Sequence, residues 1–93
     1  MYISYHDVNV LATTNQLSRI KNLDLSYIGL DEVDEKTQVY FEVEVGDVRG
    51  TVYAWKEYRK INRREQIEFH IGGRDWIESM VIKEYIVKQL AKL

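Results

Sequence analysis

The stretch QVYFEVEVGDVRGTVYAWKEY, Gln38 to Tyr58, decides the fold. Val39, Phe41, Val43 and Val45 alternate with Tyr40, Glu42 and Glu44, the period-two pattern of a strand with one buried face. Gly46-Asp47 predicts a two-residue type II′ turn, because glycine at its first central position accepts the positive φ required there. Closure at that point sets Val45 opposite Val48, Val43 opposite Gly50, Phe41 opposite Val52 and Val39 opposite Ala54, all on one face. The other face pairs Glu44 with Arg49, Glu42 with Thr51 and Tyr40 with Tyr53, and Trp55 follows on the same side. A four-residue loop would preserve both faces, whereas an odd-length loop would move Tyr53 and Trp55 to the opposite face.

Outward from this hairpin, MYISYHDVNVLA alternates loosely and predicts a short strand, broken near His6-Asp7. Thr13 or Thr14 can cap a helix of about two turns through NQLSRIKNL, with Leu17 and Ile20 on its apolar side. Leu23, Leu25 and Tyr27 alternate as a further extended segment until Gly29, and an acidic turn around Glu35-Lys36 leads into the hairpin. After a basic stretch, Ile67, Phe69 and Ile71 alternate with Glu68 and His70 up to Gly72-Gly73. RDWIESMVIKEYIVKQLAKL is the strongest helix signal, with Asp75 as cap, Glu78 three residues on as in a capping box, and Lys88 and Lys92 near its end.

These segments predict one α+β domain over residues 1–93: a small antiparallel sheet of three to five strands, a long C-terminal helix on one face and a short N-terminal helix. At 93 residues such a chain buries roughly 60–65% of its unfolded surface, enough for one core. The final helix is apolar on more than one side. Trp76, Met80, Val87 and Ala91, extended by Ile77 and Val81, form one stripe, and Ile82, Ile86, Leu90 and Leu93 form a second. One sheet face uses a single apolar arc of about 100° or more. The second stripe, Ile82, Ile86 and Leu90, is therefore the expected contact of a homodimer unless the N-terminal helix covers it.

Composition narrows the chemistry. Cysteine is absent, which excludes disulfides, thiol catalysis and Cys-based zinc sites. There is no signal-peptide pattern and no apolar run of transmembrane length, and the expected setting is cytoplasmic, without membrane contact. The net charge of −2 hides an asymmetry: residues 1–48 carry three Lys/Arg against nine Asp/Glu, and residues 49–93 carry ten against six. Interleaving of the two halves in the fold would offset these charges locally, and a surface dipole would instead serve a partner.

No motif specifies a reaction. His70 and Glu68 share a strand face, but a base or metal site needs further ligands, and a solvated or hydrogen-bonded histidine is the simpler reading. Adjacent His6 and Asp7 point oppositely on a strand. Asp31, Glu32, Asp34 and Glu35 lack the spacing of a calcium loop and read as a hydrated turn. Gly72-Gly73-Arg74 before a helix could receive a phosphate, yet Asp75 would oppose an anion there, so a plain strand-to-helix turn is expected. No cofactor and no catalytic residue is assigned, and the expectation is a protein that is not an enzyme.

Two interaction surfaces remain. Tyr40, Tyr53 and Trp55, bordered by Glu42, Glu44 and Arg49, make an aromatic strip with a charged rim, the anatomy of a protein-recognition surface. This points to a small protein-binding regulator or inhibitor that occludes a partner's surface. Lys56, Arg59, Lys60, Arg63 and Arg64, with Tyr58 among them, offer the alternative of nucleic-acid association, or contact with an acidic protein. Glu57 and Glu65 interrupt that patch, which makes a solvated charge run its simplest reading.

Overall fold

A computed structural model describes residues 3–31, 36–57 and 63–93, with side chains described for 8–25, 39–54 and 63–93. Five strands form one antiparallel sheet: β1 (Ile3–Thr13), β2 (Leu23–Asp31), β3 (Lys36–Val45), β4 (Val48–Glu57) and β5 (Gln66–Gly73). Helix α1 (Thr14–Ser18) follows β1, and helix α2 (Trp76–Leu90) follows β5. The spatial order is β1-β5-β4-β3-β2, so β2 to β5 run as a meander and β1 adds beside β5.

The central hairpin has the register that its alternation predicts. Val45 faces Val48, Val43 faces Gly50, Phe41 faces Val52, Val39 faces Ala54 and Tyr40 faces Tyr53. Gly46 has φ of 62°, while Asp47 is not among the residues with positive φ, the combination of a type II′ turn. Beyond Val39 the pairing shifts, with Thr37 opposite Glu57, which places an extra residue in β4 near Trp55 and Lys56. A second shift falls between Leu25 and Tyr27 in β2, after which the strand runs through Gly29 to Asp31 and does not stop at the glycine. In β1 the shift lies between Ser4 and Asn9, at the predicted break.

Alternation sends one set of side chains to a single core: Val8, Val10 and Ala12 from β1, Val39, Phe41 and Val43 from β3, Val52 and Ala54 from β4, and Ile67, Phe69 and Ile71 from β5. Phe41 and Phe69 meet edge to face, their ring centroids 6.2 Å apart. α1 is shorter than the predicted two turns and holds a full capping box. Gln16 N–H donates to Thr13 Oγ1 (3.0 Å), and Thr13 N–H donates to Gln16 Oε1 (2.9 Å). Leu17 and Ile20 close the end of the same core.

The connection from Thr13 to Leu23 constrains the shape of the sheet. In a flat sheet these residues would lie about 30 Å apart, four strand spacings across and seven residues along. A ten-residue link containing a helical turn reaches only about 24 Å. The sheet therefore coils around its core, as strand twist favours.

α2 lies across the buried face and reverses the predicted roles of its two stripes. Ile82 and Ile86 are fully buried, and Leu90 packs on the same core, so this stripe is spent within the protomer and is not a dimer contact. The exposed stripe is the one that carries Trp76, Ile77, Val81 and Val87. Close approach of α2 is permitted by glycine. A Cβ on Gly50 would meet the Gly72 carbonyl oxygen and come within 2.6 Å of Ile82 Cδ1, and one on Gly73 would come within 2.6 Å of Ser79 Oγ. Tyr85 Oη donates to the Lys21 carbonyl (2.6 Å) and ties α2 to the turn before β2.

Candidate protein-recognition surface

Both helices pack on one face of the sheet, and among the described residues nothing covers the other. The registers align one row across this open face: Asn9 beside His70, His70 beside Tyr53, and Tyr53 beside Tyr40. The Tyr53 and His70 rings stack obliquely, with centroids 5.6 Å apart and planes at 32°. Tyr40, Tyr53, His70 and Asn9 are each half-buried, so neighbouring side chains hold the row while its outer edge stays accessible.

The rim is acidic. Asp24 stands opposite Glu42, Glu44 pairs with Arg49 at 3.6 Å, and Glu68 stands opposite Leu11. Leu11 is 62% exposed, a large apolar side chain beside the ring row. Thr51, between Glu42 and Gly72, is almost fully buried by the side chains around it. At the hairpin end, Asn22, Asp24, Glu42, Glu44 and Arg49 line an open depression of about 570 Å³. Asn22 adopts φ of 73°, and its carbonyl accepts from Glu44 N–H at 3.2 Å, which binds the rim of β3 to the start of β2.

The sequence places Tyr40, Glu42, Glu44, Arg49 and Tyr53 together on this face, and the registers bring those five together. The side chain of Trp55 lies outside the described residues. Sequence reading missed Asn9 and Leu11, because pairing of β1 with β5 is a long-range event. The alternation of VNVL offered a local signal, since it sets Asn9 and Leu11 opposite Val8 and Val10.

The remaining candidates are dispersed. Arg63 and Arg64 are exposed in the turn before β5, where the Arg63 carbonyl accepts from Asn15 N–H (3.0 Å). Arg59 and Lys60, the side chain of Lys56, and the acidic turn at 32–35 lie outside the described residues. Gly72 and Gly73 belong to β5, and the first turn of α2 is occupied by the Asp75 carboxylate, which accepts from Glu78 N–H at 2.8 Å. The predicted capping box is not completed by Glu78, whose Oε2 lies 3.9 Å from Arg74 Nε. Among the described residues, no three His, Asp or Glu side chains gather as a metal site, and no helix is long and apolar enough to cross a membrane.

A second exposed surface runs along the outer side of α2. Trp76, Ile77, Met80, Val81 and Val87 line a shallow apolar groove of about 530 Å³, edged by Lys83, Glu84 and Lys88. Comparison with protein-family models, with curated proteins and with solved structures yields no match to this chain.

Proposed function

We propose that this chain is a small non-enzymatic binding protein, regulatory or inhibitory, which uses the open sheet face to occlude a partner's surface. The observation that carries this reading is the cross-strand row of Tyr40, Tyr53 and His70 on the face opposite both helices. Aromatic side chains held by neighbours lose little freedom on binding and supply large contact areas. A five-stranded sheet fixes their spacing, so the surface is preorganised.

The rim selects the kind of partner. Among the residues whose side chains are described, Asp24, Glu42, Glu44 and Glu68 bring four carboxylates to this face against one guanidinium, Arg49. The same rings could stack bases, but that charge balance repels phosphates. The favoured partner is a protein segment that carries Lys or Arg beside an apolar side chain. Selection from a displayed random-peptide library tests this, with amide shift mapping of the bound form. Enriched peptides should be basic and should move the amides of residues 9–11, 40–44, 49–53 and 68–70. Acidic winners, or shifts confined to α2, would count against the reading.

A further inference from the structure

We propose that the outer side of α2 is the contact surface of an antiparallel homodimer, formed by two copies of this helix. Ile77, Met80, Glu84 and Val87 follow one another at intervals of three, four and three residues, the spacing of a coiled-coil seam; Ile77, Glu84 and Val87 are exposed, and Met80 is half-buried, with one side against the core and the other lining the outer groove. Ile77 is 70% exposed and Val87 is 48% exposed, so neither is consumed by the fold. They stand about 15 Å apart along the helix.

The pattern complements itself about a two-fold axis beside residue 82. Antiparallel packing sets Ile77 against Val87 of the second copy, and Met80 against Glu84 of the second copy, twice each by symmetry. Glu84 is the one charge in the seam, and its Oε1 lies 3.0 Å from Lys88 Nζ of the same helix. In this arrangement Lys83 of each copy also stands beside Glu84 of the other, so opposite charges meet across the seam. Parallel packing would stack Glu84 on Glu84 and is disfavoured by like charge. The area suits a weak dimer: one pair of 15-residue helices buries less than the roughly 800 Å² per partner of a standard interface, which points to micromolar affinity. The open sheet faces end up on the two outer sides, so the dimer stands independently of recognition at the sheet.

Sedimentation velocity from low to high micromolar concentration tests the proposal, with circular dichroism as the folding control. The wild type should shift from monomer to dimer, and Ile77→Lys should weaken association about tenfold or more while its fold is retained. Absence of native cysteine makes orientation readable by oxidation. An equimolar mixture of Ile77→Cys and Val87→Cys proteins should form the mixed disulfide well above the statistical share. A wild-type monomer throughout, a dimer insensitive to both Ile77→Lys and Val87→Lys, or a predominance of the 77–77 product would overturn it.

Discussion

Gly50 and Ile82 meet where α2 crosses β4, so closely that a Cβ on Gly50 would stand 2.6 Å from Ile82 Cδ1. The same Cβ would press on the Gly72 carbonyl, a backbone atom of the neighbouring strand that cannot rotate away. Gly50→Ala should therefore cost about 1–3 kcal/mol of stability in urea unfolding. Gly46→Ala isolates a different cause. Nothing lies within 4 Å of its added Cβ, so only the positive φ resists, at about 1–2 kcal/mol.

Truncation of α2 should separate its two stripes. Ile82→Ala or Ile86→Ala removes a fully buried side chain and should cost roughly 2–5 kcal/mol. Ile77→Ala, on the exposed stripe, should stay within about 0.5 kcal/mol when the protein is monomeric. Equal losses at Ile77 and Ile82 would mean that the helix is rotated from the orientation described.

The caps give a smaller and more local signal. Thr13→Ala loses the oxygen that Gln16 N–H donates to and should cost about 1 kcal/mol, with a similar loss for Asp75→Ala. Tyr85→Phe removes the bond to the Lys21 carbonyl and should cost about 0.5–1.5 kcal/mol. Hydrogen exchange should then quicken first in residues 19–23, if that bond anchors the turn.

On the sheet, Tyr53→Ala should weaken a selected basic peptide by about 2 kcal/mol or more, chiefly through faster dissociation. Glu42→Ala should act mainly on the association rate and its salt dependence. Calorimetry and surface kinetics read the two effects separately. A folded Tyr53→Ala protein with unchanged affinity would remove the ring row from the interface.

Fluorescence polarisation with single- and double-stranded probes at low salt should show no binding. If a probe does bind, replacement of Arg59, Lys60, Arg63 and Arg64 by Ser should flatten its salt dependence, and the basic segment then becomes the functional surface.

What the sequence determined by itself is local. Alternation from Val39 to Val45 and from Val48 to Ala54, joined by a glycine suited to positive φ, is satisfied by a loop of two or four residues, both of which keep the same two faces. A slip by one residue would turn every valine to water, so the faces follow directly. Thr13 with Gln16, and Asp75 before the last helix, are likewise short-range signals, because a cap bonds within three residues. What only the tertiary structure decided is which surfaces meet. Helical periodicity fixes the angle between the Ile77 and Ile82 stripes but not the rotation of the helix toward its sheet, and both stripes are apolar enough to pack. The gap left above Gly50 admits Ile82, and Gly73 lets the first turn of α2 sit close enough to bury Ser79. The row from Asn9 through His70 to Tyr53 likewise exists because β1 crosses from one end of the chain to pair with β5. Such pairing is settled by burial of the whole core at once, and no single segment encodes it.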